Sequence, residues 1–260
     1  MTPRLPAAFL GAPLAHRALH DVTQGRPENS RAAIRAAIEH GYGIEIDVQL
    51  SADNQAMVFH DYALDRLAHG TGPVRVVPAG TLSEIPLKGG DEGIPTLAEV
   101  LDIVAGHVPM LIEIKDQDGA MGTDVGPLEQ ATADALAGYN GPVALMSFNP
   151  HAVVRMVELC PNIPRGIVTS SYKAEDWPLN DATRDHLRMI PDFDRVGASF
   201  ISHEAADLGR PRVADLRAQG ANILCWTVRS PAQEAEARRT AQNITFEGYL
   251  APHPVDPRAT

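Results

Sequence analysis

Cysteine is scarce in this chain of 260 residues, which contains only Cys160 and Cys225. A disulfide framework needs more cysteines, so both are expected to be buried free thiols in a reducing compartment. The chain also lacks any apolar run near the roughly 20 residues of a transmembrane helix. Its first residues resemble a signal peptide, but cleavage after Ala15 would remove a predicted strand that leads into His16. We therefore expect a cytoplasmic protein without stable membrane association.

Positive charge is in deficit, with 22 Lys and Arg against 33 Asp and Glu and a net charge of −11. A basic surface for nucleic acid or for an anionic membrane is therefore not expected. A small anionic substrate would have to be attracted locally, by a metal ion and a few placed cations.

Short apolar runs alternate with helical patterns along most of the sequence, and the hydrophobic content of 44% is ample for a sizeable core. Strands that alternate with helices indicate parallel βαβ units. The predicted strands are Phe9–Ala15, Gly43–Gln49, Met57–His60, Met110–Ile114, Val143–Phe148, Gly166–Thr169, Val196–Ile201, Ile223–Val228 and Thr245–Leu250. The predicted helices are Arg31–His40, Thr96–Ala105, Pro127–Ala137, Pro150–Leu159, Pro211–Gln219 and Pro231–Ala241.

Nine strand candidates are one too many for a (β/α)₈ barrel. Only a few residues separate Gln49 from Met57, whereas a parallel connection needs about a dozen or more. Met57–His60 must therefore return antiparallel, as a hairpin outside the barrel. The sequence predicts one TIM-barrel domain over residues 1–260, with an insertion at about residues 51–93 that lacks helical periodicity.

Polar side chains are concentrated near the ends of the first three barrel strands, where the active sites of such barrels lie. Carboxylates two residues apart on a strand point to the same face. Adjacent strands are about 4.8 Å apart, so these groups can converge. They are His16, Arg17, Glu45, Asp47, Glu113 and Lys115, with His60 returning from the hairpin.

A pair of carboxylates on a strand is more often solvated or salt-bridged than functional, and a lone histidine is more often packed in a core. Here Ile44, Ile46 and Val48 flank the carboxylates, which would therefore be buried. Buried carboxylates need a compensating cation. A set of oxygen ligands suits Mg²⁺ or Ca²⁺ better than Zn²⁺.

This ordered set resembles the glycerophosphodiester phosphodiesterase family over nearly the whole chain. The matching segments are His16-Arg17, Pro27–Ser30, Glu45–Gln49, His60-Asp61, Leu64–Arg66, Ile94–Leu97, Glu113–Lys115, Ser147-Phe148 and Trp226–Val228. The family has a (β/α)₈ barrel with a small insertion after the second strand, in agreement with the hairpin argument.

The resemblance implies roles for individual residues. Glu45, Asp47 and Glu113 would hold one divalent cation, Mg²⁺ or Ca²⁺, while His16 and His60 would be the acid/base pair. Substrate binding would fall to other side chains. Arg17 would hold the phosphate, Lys115 would support the phosphate or the metal, and Glu28 would orient ligands or the glycerol. Phe148 and Trp226, at strand ends, are predicted to form walls for the substrate.

The chain also departs from the family pattern. Ala18 stands where Gly usually follows His-Arg, and Ser30 replaces the commoner Thr. Arg229 stands where Asn is usual, and the segment from Glu247 to Leu250 and Ala251 replaces one that usually ends in Thr-Asp. No proposed ligand or proton carrier is lost, so these departures concern the leaving group more than the chemistry.

The predicted function is metal-dependent hydrolysis of glycerophosphodiesters to sn-glycerol 3-phosphate and an alcohol. The first nucleophile is water or the glycerol 2-hydroxyl, and the sequence favours neither. One alternative is a lysophospholipase-D-like hydrolase of lipid phosphodiesters. The other is a catalytically silent protein that binds a glycerophosphodiester, although binding alone needs no second proton carrier.

Overall fold

Eight parallel strands form a closed barrel in this computed structural model, which describes residues 2–254. The first strand pairs in parallel with both the second and the last, which closes the sheet. The barrel strands are β1 (Leu14–Ala15), β2 (Gly43–Leu50), β4 (Met110–Ile114), β5 (Val143–Ser147), β6 (Arg165–Thr169), β7 (Phe200–Glu204), β8 (Asn222–Val228) and β9 (Asn243–Phe246). The predicted (β/α)₈ barrel is confirmed.

Helices follow the barrel strands and cover the outside of the barrel. They are α1 (Arg31–Glu39), α2 (Ala79–Glu84), α3 (Leu97–Val104), α4 (Pro127–Ala135), α5 (Pro150–Leu159), α6 (Asp181–Met189), α7 (Pro211–Ala218) and α8 (Pro231–Ala237), of which α2 alone belongs to the insertion. Side-chain caps fix several of their starts. In α3, Thr96 and Glu99 form a capping box in which each side chain binds the other's backbone N–H.

The hairpin after β2 is present. Strand β3 (Ala56–Val58) runs antiparallel to β2, with Val48 opposite Val58, and lies outside the barrel. The insertion packs around its own apolar cluster, which includes Phe59, Leu64 and Leu82. The insertion, whose sequence lacks helical periodicity, contains one short helix, α2, whose six residues are too few to give a periodic pattern.

Alternation along β2 separates the barrel interior from the layer beneath the helices. Ile44, Ile46 and Val48 pack in the main apolar cluster between strands and helices. Glu45 and Asp47 therefore point into the barrel, and Asp47 lies directly opposite Glu113 of β4.

The lower part of the barrel interior is filled by a second apolar cluster that includes Phe9, Leu14, Leu111 and Phe200. Gly166 makes room for one of these side chains, since a Cβ there would lie 2.4 Å from the Phe200 ring. The polar site thus rests on a packed apolar floor.

Several boundaries differ from those predicted. Residues Ala7–Leu10 form a 3₁₀ turn, and the first strand is only Leu14–Ala15, because proline interrupts the apolar run at position 13. Strand β7 begins at Phe200 and β9 ends at Phe246. Helix α6 was not predicted, since Leu187 is its one buried side chain and most of its other residues are polar.

Cys160 and Cys225 are both buried free thiols, as predicted. Within residues 2–254, no helix has the length and apolar character needed to span a membrane. The single domain over residues 1–260 stays a prediction, since residue 1 and residues 255–260 lie outside the described part of the chain.

Candidate active site

A pit of about 130 Å³ opens at the carboxyl ends of the barrel strands. His16 and Arg17 enter it from the end of β1, and His60 enters it from the segment after β3. Of the ten side chains predicted for the site, only Glu28 does not line the pit. The nine that do are His16, Arg17, Glu45, Asp47, His60, Glu113, Lys115, Phe148 and Trp226.

Three buried carboxylates form the acidic floor of the pit. Glu45, Asp47 and Glu113 each offer an oxygen within 4.8 Å of the others. The backbone N–H of Arg17 donates to Glu45 Oε2 at 2.9 Å, and Asn29 Nδ2 donates to Asp47 Oδ2 at 3.0 Å. Burial, together with the charges of Asp47 and Glu113, raises the pKa of Glu45 well above its ordinary value. The floor therefore carries negative charge that these donors do not neutralise.

Lys115 compensates part of this charge. Its Nζ lies 2.9 Å from Asp47 Oδ1 and 2.7 Å from Glu113 Oε1. Burial alone would lower the pKa of Lys115, but the two carboxylates raise it overall, so the ammonium stays charged. One ammonium faces three carboxylates. The atoms that could coordinate a metal ion here are all carboxylate oxygens. With Arg17 Nε 3.7 Å from Asp47 Oδ2, two cations face three carboxylates, and the arrangement fits a hard divalent cation as a further source of positive charge.

His16 is held by a carboxylate that the sequence analysis did not assign to the site. Its Nδ1 lies 2.5 Å from Glu247 Oε2, just after β9. The hydrogen bond from His16, with the His20 ring 3.6 Å away and Arg229 nearby, holds the pKa of the Glu247 carboxyl well below its usual range, so it stays ionised and accepts a hydrogen bond from Nδ1–H. Burial lowers the pKa of His16 despite that bond, which favours a neutral ring with Nε2 as its basic atom.

His60 has a similar partner. Its Nδ1 lies 2.7 Å from Asp61 Oδ1, and Arg66 donates to both oxygens of Asp61, each at 2.7 Å. Burial would raise the pKa of Asp61, but the bonds from His60 and Arg66 lower it overall. The ring of His60 is therefore oriented from behind, as that of His16 is.

Arg17 is oriented by Glu28 from outside the pit. The guanidinium donates to Glu28, and its Nε lies 3.7 Å from Asp47 Oδ2. Glu28 also accepts from Arg66 Nη1 at 2.6 Å. Arg17 and Ala18 both have left-handed backbone conformations, with φ of 52° and 64°, so Ala18 adopts the conformation that favours Gly.

The departures from the family pattern separate into two places. Arg229 lines the pit, and its Nε donates to Glu247 Oε1 at 2.7 Å. Leu250 and Ala251 do not line it. The backbone oxygen of Ala251 accepts from Tyr42, and Leu250 is exposed on the far side of Glu247. The expectation that Leu250 and Ala251 face the site is wrong, because the chain turns away after β9.

Comparison with known proteins gives a consistent set of similarities. The sequence profile of the glycerophosphoryl diester phosphodiesterase family matches residues 16–244. A glycerophosphodiester phosphodiesterase of Caldanaerobacter subterraneus is 32% identical over 166 residues, covering 59% of this chain and 65% of that protein. A glycerophosphodiester phosphodiesterase of Bacillus subtilis is 29% identical over 206 residues, covering 73% of this chain and 67% of that protein.

A solved structure shows the same fold. It is a phosphodiesterase of Oleispira antarctica in complex with the product sn-glycerol-3-phosphate, with a TM-score of 0.74 and 23% sequence identity. The similarity covers 92% of this chain and 94% of that chain.

Proposed function

This chain belongs to the glycerophosphoryl diester phosphodiesterase family, and we propose that it hydrolyses glycerophosphodiesters to sn-glycerol 3-phosphate and an alcohol with one divalent cation and two histidines. One observation carries the proposal. His16 and His60, each with Nδ1 bound to a carboxylate, line the same pit as the acidic floor. A two-proton reaction on an anion needs such an arrangement, and simple binding does not.

Glu45, Asp47 and Glu113 would hold the cation, and their oxygen atoms suit Mg²⁺ and Ca²⁺ alike. When bound, it neutralises charge on the phosphoryl oxygens. Arg17 supports the same oxygens from the wall of the pit, where Glu28 fixes its guanidinium plane. Lys115 adds a second fixed positive charge beside Asp47 and Glu113.

The histidines divide the proton transfers between them. His16, whose lowered pKa keeps it neutral, accepts the proton of the nucleophile at Nε2. His60 gives a proton to the departing alkoxide. Water and the glycerol 2-hydroxyl both meet the requirement for a nucleophile. A transient cyclic glycerophosphate, detected by phosphorus NMR during turnover, would identify the hydroxyl route.

The direct test is release of sn-glycerol 3-phosphate from glycerophosphocholine, with and without EDTA. We expect EDTA to abolish release and Mg²⁺ or Ca²⁺ to restore it. His16→Ala and His60→Ala should each lower kcat by about 10²–10⁴-fold, since each removes a general acid or base. His107→Ala, an exposed histidine away from the pit, is the matched control. Near-wild-type turnover by either site variant would refute the histidine assignment.

The same assay separates the alternatives. A protein that binds glycerophosphodiesters without turnover of any headgroup would be a binding protein. Preferential hydrolysis of lysophospholipids over glycerophosphodiesters would indicate a lysophospholipase-D-like enzyme. Cytoplasmic location and the lack of stable membrane association stay predictions, which cell fractionation would check.

A further inference from the structure

A groove of about 700 Å³ adjoins the pit on the side of His60. It shares Phe148 and Trp226 with the pit and continues past Trp177, which follows β6. Met121 and Leu179 add apolar surface, and Tyr62 stands exposed at the rim. A group attached to a phosphate in the pit can extend into this groove.

The aromatic side chains of the groove are fixed by mutual packing. The Phe148 ring lies 4.8 Å from that of Trp177 and 5.5 Å from that of Trp226. Behind Trp177, the fully buried Tyr172 ring is 4.8 Å away. Trp226 Nε1 donates to Ser202 O at 3.1 Å. A fixed aromatic wall needs no reordering when a ligand binds.

The groove also carries negative charge without a matching cation. Asp116 is buried in its wall and accepts hydrogen bonds from Asn149 Nδ2 at 2.7 Å and from the Met121 N–H at 3.1 Å. Neither Asp116 nor Asp176, which is exposed at the mouth, forms an ion pair with any residue in the described range 2–254. The two cations that line the groove already form ion pairs. Lys115 pairs with Asp47 and Glu113. Arg66 pairs with Asp61 and Glu28.

We propose that this groove binds the alcohol of the substrate and selects an alcohol that carries a quaternary ammonium group. The inference rests on the proposed function and adds the class of leaving group. Aromatic rings attract a methylated ammonium through its positive charge while its methyl groups pack against apolar surface. An acyl chain would gain nothing from Asp116 and Asp176.

The bonding of Asp116 distinguishes a methylated ammonium from a primary one. Each of its oxygens already accepts one hydrogen bond from an uncharged donor, so fewer acceptor sites are left for the N–H groups of a primary ammonium. A quaternary ammonium has no N–H to donate and is weakly hydrated, so it needs none of the remaining acceptor sites and is attracted by the charge alone. A primary ammonium would lose water and find fewer acceptors in return.

The position of the groove also indicates which histidine is the acid and which is the base. His60 lines both the groove and the pit, whereas His16 lines the pit alone. An alcohol that departs into the groove leaves past His60. This agrees with His60 as the acid that protonates the alkoxide and His16 as the base.

The test compares glycerophosphocholine with its uncharged isostere, the 3,3-dimethylbutyl ester, in which carbon replaces nitrogen. Both place the same shape in the groove, so the ratio of their kcat/KM values measures the effect of charge. We expect glycerophosphocholine to be favoured about tenfold or more, as cation–π and carboxylate attraction imply. Trp177→Leu and Asp176→Asn should each reduce this ratio about threefold or more, because each lowers kcat/KM for glycerophosphocholine more than for the isostere.

Asp102→Asn, which removes an exposed carboxylate on α3, is the matched control for charge and should leave the ratio unchanged. Asp116→Asn is a further variant, interpreted only if its unfolding midpoint matches that of the wild-type protein. Equal kcat/KM values for the two esters would overturn the proposal, and so would a ratio that neither Trp177→Leu nor Asp176→Asn changes.

Two further outcomes are informative. Faster hydrolysis of lysophosphatidylcholine micelles than of glycerophosphocholine would mean that the groove holds an acyl chain, and would overturn the proposal. Glycerophosphoglycerol, which lacks the ammonium, reports on the proposed function separately. If glycerophosphoglycerol is hydrolysed as well as glycerophosphocholine, only the inference about the groove is refuted. If no diester is hydrolysed, the inference and the proposed function are both refuted.

Discussion

Each histidine of the pit is the inner member of a row of three hydrogen-bonded side chains, a histidine, a carboxylate and an arginine at the rim. Arg229 holds Glu247, which holds His16, and Arg66 holds Asp61, which holds His60. A carboxylate behind a histidine fixes its tautomer and stabilises its protonated form. The two rows reach the same pit from different parts of the chain, as the proposed pair of proton carriers requires.

Glu247 is therefore predicted to be a positioning residue for His16. Glu247→Gln keeps the size of the side chain but removes the charge, and we expect kcat to fall about 10–10³-fold with KM little changed. Because Glu247 raises the pKa of His16, its loss should also move the acidic limb of the kcat/KM profile to lower pH.

The exposed Glu39→Gln is the matched control and should leave both kcat and the pH profile unchanged. A fall in kcat without a shift of the acidic limb would mean that Glu247 supports the fold rather than His16.

Lys115 is predicted to stabilise the protein most when no metal is bound. Lys115→Met leaves Asp47 and Glu113 without their ammonium, and removing one partner of a buried ion pair costs about 3–5 kcal/mol. A cation held by the same carboxylates should recover much of this loss, because ligands that bind only the folded state stabilise it.

Urea unfolding in EDTA and in saturating Mg²⁺ measures this difference, with the exposed Lys173→Met as control. Equal destabilisation in both conditions would show that the cation does not replace the charge of Lys115 at these carboxylates.

Sequence reasoning found the residues of the pit because they occur in short motifs at strand ends. It did not find Glu247 as a partner of His16, since 231 positions separate the two and the segment around Glu247 departs from the family pattern. Glu247 directly follows β9, where the chemistry of such barrels lies, but the predicted last strand ran on to Leu250 and so hid this position. A contact between distant strand ends becomes visible only when the barrel is closed.

Among the elements, connection length predicted better than periodicity. The short link between β2 and β3 forces an antiparallel return, and this placed His60 outside the barrel correctly. Periodicity failed for α6, where nearly the whole surface is polar, and for the short α2. The first strand was predicted too long because an apolar run also suits a turn that closes the barrel floor.

The insertion has its own apolar cluster, so its stability is predicted to control the position of His60. Leu82 of α2 is fully buried there, and Leu82→Ala should cost about 2–5 kcal/mol. We expect hydrogen exchange to accelerate in residues 59–94 more than in the barrel strands, and kcat to fall with it.

Val76→Ala is the control within the same insertion, because Val76 is 66% exposed. Uniform acceleration of exchange across the barrel and the insertion would show that the insertion does not open separately.

For the molecule as a whole, the barrel follows from two general properties of the chain, its alternating pattern and its apolar strands. Each barrel strand pairs with the next one, which leaves two exposed edges unless the first and last strands also pair. Strand β1 makes this closing contact with only two residues. The net charge of −11 gives no help to an anionic substrate, so the cations needed lie inside the pit, at Arg17 and Lys115. The acidic composition of the chain thus predicted that positive charge must lie within the site, and the motifs showed at which residues it lies.

Buried histidines should make the whole molecule sensitive to acid. His203 of β7 is fully buried, with Nδ1 2.8 Å from Thr169 Oγ1 and Nε2 facing Asp207 near Arg210. Burial lowers its pKa despite Asp207, so between the folded and unfolded pKa values the unfolded chain binds more protons. The free energy of unfolding therefore rises with pH in that window and is lost as pH falls below about 6.5. One such group contributes a slope of at most about 1.4 kcal/mol per pH unit.

Chemical denaturation from pH 7.5 to 5 measures the slope, and His203→Gln should reduce it while lowering stability at pH 7.5. An unchanged slope in a folded His203→Gln protein would assign the acid sensitivity to other groups, of which His16 is the first to test.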